Sequence, residues 1–297
     1  MTTKRKLRKR VFAAVITVVV LLALLGWYLS SLTLPVLQPA GPVATGERNM
    51  LVLVFSLMLI VVIPVFAIAF SFAWRYRETN TKKTKYSPNW DHSRVIETVW
   101  WLIPGLLIFV IAIITWHGSH EYDPYKPLTS RQPALQVQVV ALQWRWLFIY
   151  PEQHVASINV LHMPVGRPVT FHITADAPMN SFWIPQLGGQ IYAMPGMDTQ
   201  LNLEADRPGT FYGSSANISG TGFADMHFNA IASSSQSFAT WVNSARQRAP
   251  LTLSRYSNLA KPTDDKAVKV FSDPADDLYS TVLNKYTGTP GMHMEGM

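Results

Sequence analysis

The amino-acid sequence predicts a mixed membrane protein: an N-terminal signal or anchor segment, a two-helix transmembrane hairpin, an extracytoplasmic all-β domain of Greek-key type, and a short helical C-terminal appendage. Three observations carry this. Residues 50–74 and 95–116 are long apolar runs with basic residues clustered near their ends. From about Arg131, apolar and polar side chains alternate with period two, the mark of half-buried strands. After about Trp241 the alternation stops.

Composition agrees with a molecule divided between two solvents. The 297 residues are 48% hydrophobic and only 14% charged, with mean hydropathy +0.12, too apolar for an ordinary soluble domain and too polar for a chain wholly in lipid. The absence of Cys removes disulfides, thiol nucleophiles, Cys-based zinc sites and the lipid-modified Cys of a lipoprotein signal. An exported domain must then be held by packing. The net charge of +7 is not spread as a nucleic-acid-binding face. Lys4, Arg5, Lys6, Arg8, Lys9 and Arg10 precede one apolar stretch, and Arg75, Arg77, Lys82, Lys83 and Lys85 follow another, which is the positive-inside pattern of membrane topology. No nucleic-acid partner is expected.

Residues 1–34 form the leader, whose apolar stretch 11–29 (VFAAVITVVVLLALLGWYL) fits either a signal peptide or a signal anchor. The next division, 35–129, opens with a connector, and Leu34 to Glu47 reads as turn-rich because of Pro35, Pro39, Gly41, Pro42 and Gly46. The runs at 50–74 and 95–116 are long enough to cross a hydrocarbon core of about 30 Å at about 1.5 Å per residue. Each contains one proline, Pro64 or Pro104. The charge rule puts the loop 75–94 in the cytoplasm and residues from about His117 outside it. Trp74, Trp90, Trp100, Trp101 and Trp116 fall near span ends, as aromatic belts do.

Residues 130–243 hold the strands. Leu135, Val137 and Val139 alternate with Gln136 and Gln138, and Val169, Phe171 and Ile173 with Thr170, His172 and Thr174. Gly166, Gly188, Pro208 and Gly220 punctuate the runs. Several short strands in so short a stretch point to a Greek-key sandwich or barrel. Residues 244–287 read as short helices and turns docked through aromatic and aliphatic side chains, and 288–297 as a frayed tail. No repeat, nucleophile elbow, phosphate-binding glycine loop or zinc motif is evident.

This order of segments, with KYSPNW at 85–90, QWRWLFIYPEQ at 143–153, PMNSFWIP at 178–185 and QIYAMPGM at 190–197, resembles subunit II of the cytochrome bo-type ubiquinol oxidases of the haem-copper oxidase superfamily. The resemblance covers nearly the whole chain from about Pro35. It implies a cupredoxin-like fold for the β domain and a bacterial inner-membrane complex that reduces oxygen and pumps protons. It also implies partners: a subunit I that holds the haems, the remaining copper and the ubiquinol-oxidising chemistry, further small subunits, and membrane lipid. Cytochrome c is not an expected partner. One departure is that SSLTLP at 30–35 lacks the lipoprotein Cys carried by many such subunits, so anchoring must rest on the spans.

The same resemblance places two metal-ligand loops at 178–186 and 211–226. Copper-bearing relatives supply a His from the first and Cys, Glu, Cys, His and Met from the second. Here the corresponding positions are Asn180, then Ser215, Asn217, Ser219, Phe223 and Met226. A binuclear copper centre needs soft thiolates as bridges and imidazoles as terminal ligands. Serine does not ionise at neutral pH, an amide is a poor copper ligand, and the chain has no Cys to lend from elsewhere. The expectation is a chain that binds no metal or cofactor itself. Asn180, Ser215, Asn217 and Ser219 should form a hydrogen-bonded structural cluster, with Met226 in the core.

Glu97, in VIETVWW just inside the second span, has two readings. It is a solvated carboxylate at the membrane edge, or, as the resemblance implies, it stands at the cytoplasmic mouth of a proton channel into subunit I. Trp144 and Trp146 match an aromatic pair that lies beside copper in cytochrome c oxidases; without copper, strand packing is the expected role. A rival from another class is a membrane-tethered, cupredoxin-like copper-handling protein that uses the Met-rich tail, His293 with Met292, Met294 and Met297; His117 and His120 near the membrane surface are a separate candidate for weak copper binding.

Overall fold

A computed structural model describes residues 20, 24, 26–28, 34–77, 92–263 and 265–287. The leader 1–34 is thus largely outside the described residues, as are the loop 78–91 with KYSPNW and Trp90, and the tail 288–297. The chain divides into two compact units, 1–38 and 39–297. In the first, residues 20, 24 and 26–28 are helical and Pro35–Leu37 is a 3-10 turn.

The second unit begins with two long helices, α1 (Pro42–Arg75) and α2 (Arg94–Glu121). Their most apolar 18-residue windows have mean hydropathies of 3.1 and 2.3, and neither is covered by the rest of the chain. Trp74, Trp100, Trp101 and Trp116 are all exposed on them. α1 starts at Pro42, so the turn-rich reading of Leu34 to Glu47 holds only as far as Gly41. The reason is positional: proline is tolerated at the first helical position because the N–H it lacks would have no helical partner.

At about 1.5 Å per residue, α1 is about 50 Å long and overshoots the bilayer core. Its first turns are used to grip the β domain. Ala40 N–H donates to Gln186 O at 2.7 Å, Ala44 N–H to Leu187 O at 3.2 Å, and Gly189 N–H to the Glu47 carboxylate at 3.0 Å. Gly41 has to be glycine here, since a Cβ would sit 2.1 Å from the backbone oxygen of Glu204. Gly46, a second buried glycine, faces the Tyr122 ring just past α2.

Eleven strands follow among the described residues. They are β1 (Leu135–Leu142), β2 (Arg145–Tyr150), β3 (Val155–Ile158), β4 (Val160–Pro164), β5 (Val169–Ala175), β6 (Asn180–Trp183), β7 (Ile191–Ala193), β8 (Thr199–Leu203), β9 (Gly209–Ser215), β10 (His227–Ser233) and β11 (Lys269–Ser272). They form a sandwich of a six-stranded sheet, β11-β3-β2-β1-β5-β8, and a five-stranded sheet, β4-β10-β9-β6-β7. β1 with β5 and β4 with β10 pair in parallel, and the other pairs are antiparallel. Trp146, Phe148, Phe171, Phe182 and Phe228 pack between the sheets with ring centroids 5.0–6.3 Å apart.

The alternation fades along β1 and is absent in β2, and the fold explains this. Helices α4 (Leu253–Leu259) and α5 (Leu278–Thr287) cover the outer face of the six-stranded sheet, so Val140, Leu142, Leu147 and Ile149 are buried against Leu251, Tyr256, Leu278 and Val282. A strand covered on both faces reads as a continuous apolar run. The C-terminal module also contributes β11, a four-residue edge strand that helix-and-turn reading of this region passes over, because four residues are too few to show a period. Within 130–243 the last strand, β10, ends at Ser233, earlier than Trp241. Ser234 caps α3 (Ser235–Ala245), and Phe238 and Val242 return to the sandwich core.

Candidate functional site

Asn180 opens β6 and Ser215 closes β9, and these strands pair antiparallel with Phe182 opposite Ser215. That register brings the two loops together. Ser215 Oγ lies 3.0 Å from Asn180 Oδ1 and 3.2 Å from Asn217 O, and accepts the Ser181 N–H at 3.4 Å. Asn180 Nδ2 donates to Pro178 O at 2.7 Å and Asn217 Nδ2 to Met179 O at 3.0 Å. Asn180 and Ser215 are buried, so these bonds replace lost water contacts.

The remaining positions stand apart. Ser219 Oγ is buried without a hydrogen-bond partner. Phe223 is half-buried at the start of a 3-10 turn, and Met226 is 1% exposed in the sandwich core. Ser219 instead offers its carbonyl, 3.4 Å from Trp144 Nε1. Trp144 adopts a left-handed φ of 64° in the tight β1–β2 turn, and its ring lies on Gly222, where a Cβ would approach it to 2.2 Å. A bulky residue rarely holds this conformation without surrounding support. Trp146, two residues on, is fully buried among Phe182 and Phe228.

This donor set does not fit a binuclear copper centre. It offers only hydroxyls and amides, those of Asn180, Ser215 and Asn217 already hydrogen-bonded; Phe223 has no lone pair, and the one soft donor, Met226, sits in the apolar core.

Glu97 lies in the first turn of α2. Its carboxylate oxygen is 3.0 Å from His92 Nδ1 and accepts the Ser93 N–H at 3.3 Å, a favourable charge at a helix N-terminus. The side chain is 41% exposed beside Arg94, Thr98 and Trp101, in an open groove. His117 and His120 stay on α2, where the His120 ring lies tilted against that of Trp116 with centroids 4.5 Å apart.

Sequence reading missed a pair of carboxylates. Asp176, just past β5, accepts from Tyr256 Oη at 2.6 Å, Lys285 Nζ at 2.6 Å and Tyr286 Oη at 2.5 Å. Burial works to raise its carboxyl, but the three donors outweigh burial and hold it below the ordinary carboxylate range. Asp198 accepts from Tyr279 Oη at 2.8 Å and faces His172 Nδ1 at 3.2 Å. The tyrosines were legible as docking residues; that their hydroxyls clasp two aspartates was not, because the partners lie about 80 to 110 residues away.

Two uncovered apolar helices and the two-sheet sandwich define a membrane-anchored protein with a cupredoxin-like domain. The family model described as cytochrome c oxidase subunit II, periplasmic domain, matches residues 115–232, and the COX aromatic rich motif matches 246–289. The cytochrome bo(3) ubiquinol oxidase subunit 2 of Pseudomonas putida is 42% identical over 261 residues, covering 88% of this chain and 83% of that one. That of Pseudomonas aeruginosa is 44% identical over 250 residues, 84% and 75% of the two chains, and the ubiquinol oxidase subunit 2 of Acetobacter aceti 44% over 270 residues, 90% and 87%. The chain belongs to the ubiquinol oxidase subunit 2 family.

Proposed function

We propose that this chain is the subunit II of a proton-pumping terminal oxidase in a bacterial inner membrane, in which ubiquinol delivers electrons directly to a partner subunit I that bears the haems and copper. The single observation behind this is the self-satisfied Asn180–Ser215–Asn217 cluster where a copper-bearing subunit would carry its ligands. A lipid-soluble donor reaches subunit I through the bilayer and needs no copper relay in the exported domain. The β domain then faces the periplasm, the loop 75–94 the cytoplasm, and α1 and α2 pack against subunit I.

Glu97 is assigned to proton delivery at the cytoplasmic mouth. A cap alone would tolerate glutamine, which still accepts the Ser93 N–H, whereas proton delivery needs the titrating carboxyl. Glu97→Gln in the purified complex is expected to slow reductive proton uptake severalfold without loss of subunit assembly. Uptake at the original rate would leave Glu97 as a cap.

A further inference from the structure

At the start of β2 an open cavity of about 490 Å³ lies between the sandwich and the C-terminal module, lined by Arg145, Arg255, Lys261, Lys269 and Asp265 among others. Four cations meet one described carboxylate here. Asp265 is taken by Lys269, 2.6 Å away. The other three cations have only neutral partners among the described residues. Arg255 Nη1 donates to Pro250 O at 2.6 Å, Lys261 Nζ to Asn258 Oδ1 at 2.9 Å, and Arg145 Nη2 to the carbonyls of Leu259 and Lys261.

Arg145 makes this more than a solvated basic face. The residue is only 3% exposed, and its Nε is buried with no partner. Burial works against its charge, and Asp265 supports it through space rather than by a hydrogen bond. A buried guanidinium without a hydrogen-bonded anion is costly, and its planar fork matches phosphate or carboxylate oxygens. We propose that the cavity is an anion site that takes a phosphate-bearing solute, with Arg145 as the buried anchor and Arg255 and Lys261 as the exposed arms.

Position favours an aqueous source over a lipid headgroup. Arg145 and Leu142 close the β1–β2 hairpin at one end of the six-stranded sheet, while Leu135, Val169 and Leu203 mark the other. The helical hairpin grips that other end, where Gly41 meets Glu204.

The test titrates the purified complex, in uncharged detergent at low ionic strength, with inorganic phosphate followed by calorimetry. Saturable binding is expected, weakened at least tenfold by Lys261→Gln and by Arg255→Gln, both exposed and safe for folding, and abolished by Arg145→Lys. Lys126→Gln, outside the cavity, should bind as the original does. Phosphatidylglycerol in mixed micelles should fail to displace phosphate. No saturable binding, equal loss in Lys126→Gln, unaltered binding in the cavity variants, or displacement by the lipid would each overturn the proposal.

Discussion

Asn180 ties the loop at 178–186 to the end of β9. Its amide spans two loops, donating to Pro178 O and accepting from Ser215 Oγ, and both residues are buried. Asn180→Ala would leave Pro178 O without its donor and Ser215 Oγ with only Asn217 O as acceptor, at an expected cost of about 1–3 kcal/mol. Denaturant melts of the complex should register that loss while quinol oxidation stays intact; a fall in turnover with unchanged stability would mean the cluster takes part in chemistry. The residue types were readable in the sequence as wrong for copper. Their mutual bonding was legible only as an expectation, and Ser219, expected within the cluster, lies outside it because its loop carbonyl turns to Trp144 instead.

At the level of elements, the C-terminal helices are held on the sandwich by buried apolar contacts and by tyrosine hydroxyls on two aspartates. The folded Asp176 carboxyl lies below its ordinary value of 3.8, so its contribution is present in full above about pH 4 and is lost as pH falls through the folded value. Asp176→Asn should lower stability near neutrality by about 1–3 kcal/mol and flatten the acid limb below pH 4. Melting curves across pH 2–7 check this; an acid limb as steep as the original would remove Asp176 from the clasp. The helical hairpin was legible as two long apolar runs, and strands such as the start of β1 and β5 by their alternation of apolar and polar side chains. β11 and the start of α1 were not: one is too short, and the other begins with Gly41 and Pro42, which in sequence resemble a turn.

On the scale of the whole molecule, membrane anchoring rests on two uncovered apolar helices, and the proposed orientation on the basic residues that follow the first of them. The absence of Cys makes single-cysteine reporters direct. Lys82→Cys should react with an impermeant maleimide only after the cells are permeabilised, and Glu152→Cys, exposed on the β domain, in intact cells. The opposite labelling would invert the topology. The central claim is that electrons bypass this chain, and it is tested most directly by the electron donor and copper content of the purified complex. Rapid oxygen consumption with ubiquinol, none with reduced cytochrome c, and no copper on the separated subunit II are expected. Stoichiometric copper on this chain together with cytochrome c oxidation would contradict it.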